Sequence, residues 1–212
     1  MTYLLYAIND WFKHQTALEM AGFITGLLCV YLAARNNIWN WPMAIVSVTL
    51  YIFIFLDARL YADMSLQVYF LAMNIYGWYF WSRNKATEVK TPVAVITPHE
   101  ILVSAVVVAI VTPGLGFTLI KLAPLLHYKP ASFPYLDSFC TACSLVAQVF
   151  LARKVLENWL IWIFVDIIYV GVYIFKGLDL TAVMYAVYVA IALMGYIDWK
   201  KEYRKQIGIA TE

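Results

Sequence analysis

The chain consists of long apolar segments separated by short polar connections. Four stretches contain no Asp, Glu, Lys or Arg: residues 36–56, 64–82, 101–120 and 180–197. Three similar stretches, near residues 17–34, 136–152 and 158–175, carry one acidic residue at an end or inside. A helix of about 20 apolar residues spans the hydrocarbon core of a bilayer. The pattern therefore predicts an all-α integral membrane protein with seven transmembrane helices.

The chain also repeats itself at an offset of 118 residues without a gap. When residues 18–83 are laid over residues 136–201, twelve positions are identical, roughly twice the number that chance would give in so apolar a composition. The identities include Arg35 with Arg153, Asn40-Trp41 with Asn158-Trp159, Tyr51 with Tyr169, Gly77 with Gly195, and Trp81 with Trp199. Each copy holds three predicted spans, and one further span between them makes the copies run parallel. This 3+1+3 arrangement is typical of transporters whose solute site lies between the halves.

The repeat also predicts how the chain is divided. We expect an interfacial N-terminal segment over residues 1–15 and a first three-helix bundle over residues 16–83. Residues 84–133 contain a cytoplasmic connection, a linker helix at about 99–122 and an external loop. The second three-helix bundle follows over residues 134–200, and residues 201–212 form a cytoplasmic tail.

Composition and charge add an orientation to this picture. The chain is 64% hydrophobic and 13% charged, more apolar surface than a soluble domain of 212 residues can bury. Ten of the basic residues lie in connections on one side of the predicted spans and five on the other. Positive residues favour the cytoplasm, so we predict an outside N-terminus and a cytoplasmic C-terminus. No nucleic-acid partner is predicted, because the basic residues flank helices.

Several function classes lack their sequence signals. There is no GxxxxGK[ST] motif for an ATP motor, the three histidines are scattered, and no nucleophile–base pair suggests an enzyme. We predict neither a metal site nor a cofactor. A seven-helix sensory protein is an alternative, although the tail after Trp199 has only 13 residues for an output surface. A proton-coupled transporter is another alternative, because a single acid in mid-membrane permits coupling.

The segment 158–175 carries the clearest candidate chemistry. Asn158, Trp162, Asp166 and Tyr169 follow spacings of four, four and three residues, so they share one helix face. Asp166 lies near the middle of the span, where an ionisable side chain marks a solute pathway or is satisfied by a neighbouring helix. An acid among aromatic rings suits a flat cationic ring through stacking, cation–π attraction and a counter-charge.

Two other spans carry polar side chains on one face. Gln148 ends a polar stripe with Asp137, Thr141 and Ser144, for which helix–helix hydrogen bonding is an equal alternative. In the third span, one face carries Gln67, Phe70, Asn74 and Trp78. Gln and Asn side chains can form hydrogen bonds with the donors and acceptors of a heterocycle or sugar. Trp81 and Trp199, at span ends, are interpreted as interfacial belt residues. The predicted substrate-binding residues are Gln67, Asn74, Trp78, Gln148, Asn158, Trp162, Asp166 and Tyr169.

Two strings of residues give the sequence a family resemblance. One comprises Leu60, Tyr61, Ala62, Leu66, Gln67, Tyr76, Gly77, Trp78 and Trp81, and the other runs from Glu157 to Trp162. With them, residues 18–200 resemble the PnuC-type vitamin transporters. The resemblance implies a SWEET-like 3+1+3 fold in the bacterial inner membrane. It also implies facilitated diffusion of an unphosphorylated B vitamin, which a cytoplasmic kinase traps afterwards. Homo-oligomer formation remains an open alternative.

The resemblance implies that Gln67, Asn74, Asn158 and Trp162 contact the vitamin. Nicotinamide riboside and thiamine are the two substrates that it suggests. Asp166 and Tyr169 stand where nicotinamide riboside carriers have Asn and Ser, and an acid with an extra aromatic ring suits a thiazolium. We therefore predict thiamine, with nicotinamide riboside as the alternative.

Overall fold

The computed structural model describes residues 16–57, 61–83, 91–122 and 132–208. The predicted interfacial segment at residues 1–15 and most of the predicted external loop lie outside these ranges. The described residues form seven α-helices: α1 Ala17–Ala34, α2 Asn40–Asp57, α3 Tyr61–Ser82, α4 Pro98–Phe117, α5 Pro134–Ala152, α6 Asn158–Phe175 and α7 Asp179–Gln206. A π-helical turn at Thr118–Leu122 extends α4.

The all-helical prediction is confirmed for the described residues, whose one β-bridge is isolated and joins Ala94 to Val155. Six of the seven helices are long and apolar enough to cross a membrane. The exception is α3, which has 22 residues but a lower mean hydropathy. Its tyrosines and its amide side chains at Gln67 and Asn74 lower that average, so its polar content marks a helix that faces an internal cavity.

Two helices begin with the same hydrogen-bonded cap. At the start of α1, the Thr16 backbone N–H donates to Glu19 Oε2 at 2.7 Å and the Glu19 backbone N–H donates to Thr16 Oγ1 at 3.2 Å. Thr97 and Glu100 form the equivalent capping box at the start of α4. These reciprocal bonds satisfy backbone donors that the first helical turn leaves free. They explain the polar residues at these two helix starts without a functional role.

The helices pack as two bundles related by the sequence repeat. In the first bundle α2 packs against both α1 and α3, and in the second α6 packs against both α5 and α7. Two contacts, α1 with α7 and α3 with α5, join the bundles, whereas α4 packs against α5. Because α1, α2 and α3 correspond to α5, α6 and α7, the two joining contacts are equivalent. The bundles are therefore related by an approximate twofold axis, and α4 has no counterpart under this symmetry.

Repeat-related glycines hold the helices of each bundle close together. A Cβ atom on Gly77 would lie 2.3 Å from Trp41 Cη2, and a Cβ on Gly195 would lie 2.7 Å from Trp159 Cε2. Only glycine lets the large indole ring reach the backbone of the neighbouring helix. This close approach explains why these glycines and tryptophans are identical in both repeats.

The interpretation of Trp81 and Trp199 as interfacial belt residues is wrong. Both side chains are buried, and each crosses to the other bundle: Trp81 Nε1 donates to the Ala152 carbonyl and Trp199 Nε1 to the Ala33 carbonyl, both at 3.1 Å. Their ring centres lie 5.7 Å apart. The buried core extends to the ends of α3 and α7. A position at the end of a predicted span therefore did not imply contact with lipid headgroups.

Tight packing also joins α1 to α2. A Cβ on Gly22 would lie 3.2 Å from the Tyr51 ring, and one on Gly26 would lie 3.1 Å from Ser47 Oγ. Ser47 Oγ donates to the Gly22 carbonyl at 2.9 Å. The small residues of α1 therefore serve helix contact, as a GxxxG spacing indicates, and they also leave space beside them.

Candidate functional site

A cavity of about 320 Å³ lies between the two bundles. Side chains from α1, α2, α3, α5, α6 and α7 line it, and the linker helix α4 contributes none. This volume is at the lower end of the range typical of small-molecule sites. Its position between repeated halves is that of the solute site in transporters built from repeats.

The cavity follows the approximate twofold axis of the fold. Sixteen of its lining residues form eight pairs at repeat-equivalent positions. The pairs are Val30 with Gln148, Ala33 with Leu151, Trp41 with Trp159, Ala44 with Trp162, Val48 with Asp166, Gln67 with Tyr185, Phe70 with Tyr188, and Asn74 with Ala192. The other lining residues all belong to α1 and α2, so the cavity extends further into the first bundle.

The chemistry of the cavity does not share this symmetry. At three of the paired positions, α1 and α2 carry the apolar residues Val30, Ala44 and Val48. Their counterparts on α5 and α6 are Gln148, Trp162 and Asp166. At these positions the second bundle therefore adds an amide, an indole and a carboxylate that the first bundle lacks.

An amide pair connects the two bundles at the cavity. Gln148 Nε2 on α5 donates to Asn74 Oδ1 on α3 at 2.9 Å, and both side chains are buried. Each amide retains donor or acceptor capacity beyond this bond. The pair can therefore bind a polar solute while it links the bundles that must move during transport.

Asp166 is the one acidic residue among the described residues that line the cavity. Its side chain is only 7% exposed, and it makes no hydrogen bond or ion pair to another described residue. No Lys, Arg or His lines the cavity in the described part of the chain. The nearby cavity-lining rings of Tyr185 and Tyr188 belong to α7. An ionised carboxylate in such surroundings needs a positive partner, which the solute can supply.

Five of the eight predicted site residues line the cavity: Gln67, Asn74, Gln148, Trp162 and Asp166. Trp78, Asn158 and Tyr169 do not. Spacings of three and four residues identify side chains on one face of a helix. They do not show how far along that face the cavity extends.

The structure explains why each of these three residues lies outside the cavity. Asn158 is fully buried at the first position of α6, where its Nδ2 donates to the Val155 carbonyl at 2.7 Å. Trp78 lies one helical turn after Asn74, the last residue of α3 that lines the cavity, and it is 42% exposed. The ring of Tyr169 packs against Tyr185 at 5.1 Å, and Tyr185 lines the cavity in its place.

The predicted set missed five tryptophan and tyrosine residues at the cavity: Trp41, Tyr51, Trp159, Tyr185 and Tyr188. The indole N–H groups of Trp41 and Trp159 are buried without a hydrogen-bond partner among the described residues. Buried polar groups are normally paired, whereas these two donors remain unsatisfied by the described residues in this conformation. The identity of Trp41 and Trp159 in the two repeats was the available sequence signal, because repeat-equivalent residues close to a twofold axis can line the same cavity.

Cys140 and Cys143 are spaced as a CxxC motif on α5, and both have a packing role. Cys140 and Cys143 are buried on α5 and pack against Val165 of α6. In the ranges that the structure covers, no group of three His, Cys, Asp or Glu side chains is placed to hold a metal ion.

Comparison with known proteins supports this picture. The family profile described as nicotinamide mononucleotide transporter matches residues 16–201. The nicotinamide riboside transporter PnuC of Escherichia coli (strain K12) is 32% identical over 208 residues, covering 89% of this chain and 87% of the relative. The riboflavin/roseoflavin transporter RibM of Streptomyces davaonensis is 30% identical over 185 residues, covering 85% and 83%.

A solved structure has the same fold. The crystal structure of the vitamin B3 transporter PnuC superposes with a TM-score of 0.68, at 24% identity, and covers 95% of this chain and 88% of that chain. The likeness extends over both bundles and the linker helix. Together with the family match over nearly the whole chain, these findings show that the protein belongs to the PnuC family of membrane vitamin transporters.

Proposed function

We propose that this transporter carries nicotinamide riboside into the bacterial cell by facilitated diffusion. The observation that carries the choice of vitamin is the similarity to PnuC proteins named nicotinamide riboside transporters, at 32% and 26% identity. Asp166 supports a cationic vitamin, because it is a buried carboxylate without a protein partner among the described residues, in a cavity without a basic residue lining it. The relatives favour nicotinamide riboside over thiamine, which the sequence alone had suggested.

The charge of the cavity selects the chemical form of the solute. Nicotinamide riboside carries a positively charged pyridinium ring, for which the Asp166 carboxylate supplies the counter-charge. A nicotinamide mononucleotide would bring a phosphate into a cavity lined by an acid and, among the described residues, by no Lys or Arg. Burying that phosphate unpaired is unfavourable, so the unphosphorylated vitamin is favoured.

The remaining contacts fit a nucleoside-like molecule. In this proposal the pyridinium stacks on Trp162 beside Asp166 and Tyr185. The amide pair of Gln148 and Asn74, with Gln67 on the same helix as Asn74, binds hydroxyl groups of the ribose or the carboxamide.

Two related vitamins fit less completely. Riboflavin has a larger, uncharged ring system, which suits neither a cavity of about 320 Å³ nor an unpaired carboxylate. Thiamine is the second candidate, because its thiazolium would also pair with Asp166. It lacks the ribose that the amide side chains would bind in this proposal.

The proposed energetics follow from the absence of a nucleotide-binding motif in the sequence. Uptake would run down the gradient of the vitamin, and phosphorylation by a cytoplasmic kinase would trap it. The basic-residue asymmetry supports an outside N-terminus and a cytoplasmic C-terminus. Binding at the central cavity must remain moderate, since a deep energy well would slow release.

Calorimetric titration of the purified protein in detergent tests the proposal. Nicotinamide riboside, thiamine, riboflavin and nicotinamide mononucleotide are compared under the same conditions. We expect nicotinamide riboside to bind most tightly and the mononucleotide to show no measurable binding. Tightest binding of thiamine would restore the substrate suggested by the sequence, whereas binding of the mononucleotide would contradict the charge argument.

A further inference from the structure

A cluster of tryptophan rings lies at one end of the central cavity. Trp41 and Trp159 line the cavity, and behind them lie Trp81 and Trp199. Within each repeat the rings meet edge to face, with centres 5.2 Å apart for Trp41 and Trp81 and 5.5 Å apart for Trp159 and Trp199. We call these four residues the tryptophan plug. It lies at the starts of α2 and α6, the end that the basic residues predict to be cytoplasmic.

A short extended segment, residues 91–97, is bound across this end of the molecule. It leads from the end of α3 to the start of α4 and forms the isolated bridge with the connection between α5 and α6. The Ala94 N–H donates to the Lys154 carbonyl at 2.9 Å, and the Leu156 N–H donates to the Ala94 carbonyl at 2.8 Å. The Ile96 N–H donates to Glu157 Oε2 at 2.8 Å. Thr91 Oγ1 donates to the Trp81 carbonyl of α3 at 3.5 Å. This segment, which we call the strap, therefore contacts both bundles beside the plug.

Lys154 connects the strap to the plug. Its side chain is only 3% exposed, its Nζ donates to the Thr91 carbonyl at 2.8 Å, and the same Nζ lies 4.3 Å from the centre of the Trp81 ring. A cation over an indole face is attracted by the ring, and more strongly when water is excluded. One side chain thus contacts both the strap and a ring of the plug.

The backbone of Lys154 is held in a strained conformation. Lys154 adopts a left-handed conformation with φ of +58°, which is unfavourable for a lysine. The repeat-equivalent residue is Asn36, with φ of +53°, a residue type that tolerates this region well. The fold thus requires a left-handed residue in both repeats, but one repeat carries a lysine despite the strain. Strain of this kind is retained where surrounding contacts fix it, often at switch regions.

We propose that Lys154 is a gating residue, which holds the strap against the tryptophan plug and keeps the predicted cytoplasmic end of the cavity closed. Opening of this end requires the Lys154 contacts with Thr91 and Trp81 to separate. The inference concerns the gate alone and holds for any vitamin that the cavity binds.

The variant Lys154→Asn tests this proposal with little disturbance of the backbone. It installs the residue that the other repeat uses at the same left-handed position and removes the contacts to the strap and to Trp81. The reporter is Cys29, which lines the cavity, in a background in which Cys140 and Cys143 are replaced by Ala. Its rate of reaction with a membrane-impermeant maleimide is measured in vesicles of both orientations.

We expect Lys154→Asn to raise the reaction rate about tenfold in inside-out vesicles, the change that loss of one charged hydrogen bond produces in an opening equilibrium. The rate in right-side-out vesicles should stay the same or fall. Lys200→Asn is the matched control, because Lys200 also lies over an aromatic ring, that of Tyr196 at 5.4 Å, but contacts it on the same helix. That control should leave both rates unchanged.

A second variant keeps the test decisive if Lys154→Asn fails to fold. Ala94→Pro removes the N–H that bonds to the Lys154 carbonyl, so it weakens the strap without changing Lys154. It should raise the rate in the same vesicle orientation. Rates equal to those of the parent protein in whichever of these variants folds, or an increase only in right-side-out vesicles, would overturn the proposal. Neither result bears on which vitamin is bound, because the assay contains none.

Discussion

Asp166 shows what a sequence can reveal about a single residue in a membrane helix. Its place near the middle of the segment 158–175 follows from helix length alone, and an acid at that depth indicates a cavity or a partner. Its aromatic neighbours Tyr185 and Tyr188 could not be predicted in the same way. They lie on α7 in a charge-free stretch, 180–197, where no polar pattern marks the inward face.

Nicotinamide riboside carriers have Asn at this position, but in this chain the carboxylate adds a counter-charge for the pyridinium, so Asp166→Asn should weaken binding of nicotinamide riboside without abolishing it. The change preserves shape but removes the counter-charge, and a hydrogen bond to a charged group contributes about 1.5–3 kcal/mol. Calorimetry should therefore show Kd higher by roughly 10- to 100-fold. Asp179→Asn, at an exposed acid in the first turn of α7, is the control and should bind like the parent. An unchanged Kd in a folded Asp166→Asn protein would make Asp166 a structural residue.

Trp162 lines the cavity and also packs against the tryptophan plug, so its two roles must be separated. If the vitamin ring stacks on the indole, Trp162→Ala should weaken binding by about 1–3 kcal/mol, by analogy with bases stacked on aromatic side chains. Trp162→Phe should recover part of that loss. Trp39→Ala, at a side chain that is 62% exposed, serves as the control for tryptophan removal. A lower melting temperature with unchanged affinity would assign Trp162 to packing alone.

At the scale of helices, the repeat explains which contacts the sequence could and could not indicate. The identity of Gly77 with Gly195, and of Trp41 with Trp159, was visible from the alignment of the chain with itself. That each glycine packs on the tryptophan of its own repeat was not visible, because the contact joins residues 36 positions apart on separate helices. Sequence identity marked the positions, and only the packing of α2 on α3 and of α6 on α7 gave the reason.

Gly195→Ala should therefore destabilise the protein. Its new Cβ would lie 2.7 Å from Trp159 Cε2, and overpacking of this kind typically costs about 1–3 kcal/mol. A thermal melt in detergent should show a lower Tm, and Gly77→Ala should behave alike. The control is Gly171→Ala on α6, where a Cβ meets nothing within 4 Å, so stability should be unchanged or slightly higher. An equal Tm for Gly195→Ala and Gly171→Ala would contradict the packing account.

For the whole molecule, the prediction from sequence succeeded where it depended on the repeat. Three spans, one span and three spans again suffice to predict two parallel bundles, and the two bundles do enclose a cavity. The strap of residues 91–97 was beyond prediction, because its bonds to Lys154 and Glu157 use the N–H and carbonyl groups of its own backbone, which leave no pattern in the sequence. From the sequence pattern alone, a polar connection of this kind is predicted only to be a loop.

The orientation of the molecule in the membrane can be checked directly. The basic-residue asymmetry of ten to five predicts that position 209 lies in the cytoplasm and position 128 outside. In a cysteine-free background, Tyr128→Cys should react with an impermeant maleimide added to intact cells, whereas Ile209→Cys should react only after the membrane is permeabilised. The reverse pattern would invert the orientation and place the tryptophan plug at the outer end of the cavity.

Counterflow in proteoliposomes tests the central claim, which is that the cavity between the two bundles carries nicotinamide riboside down its own gradient. Vesicles loaded with unlabelled nicotinamide riboside and diluted into a trace of labelled vitamin should take up the label transiently. This uptake should need neither ATP nor an imposed sodium or proton gradient, and Asp166→Asn should reduce it. Absence of counterflow, or accumulation that requires an imposed ion gradient, would contradict the account.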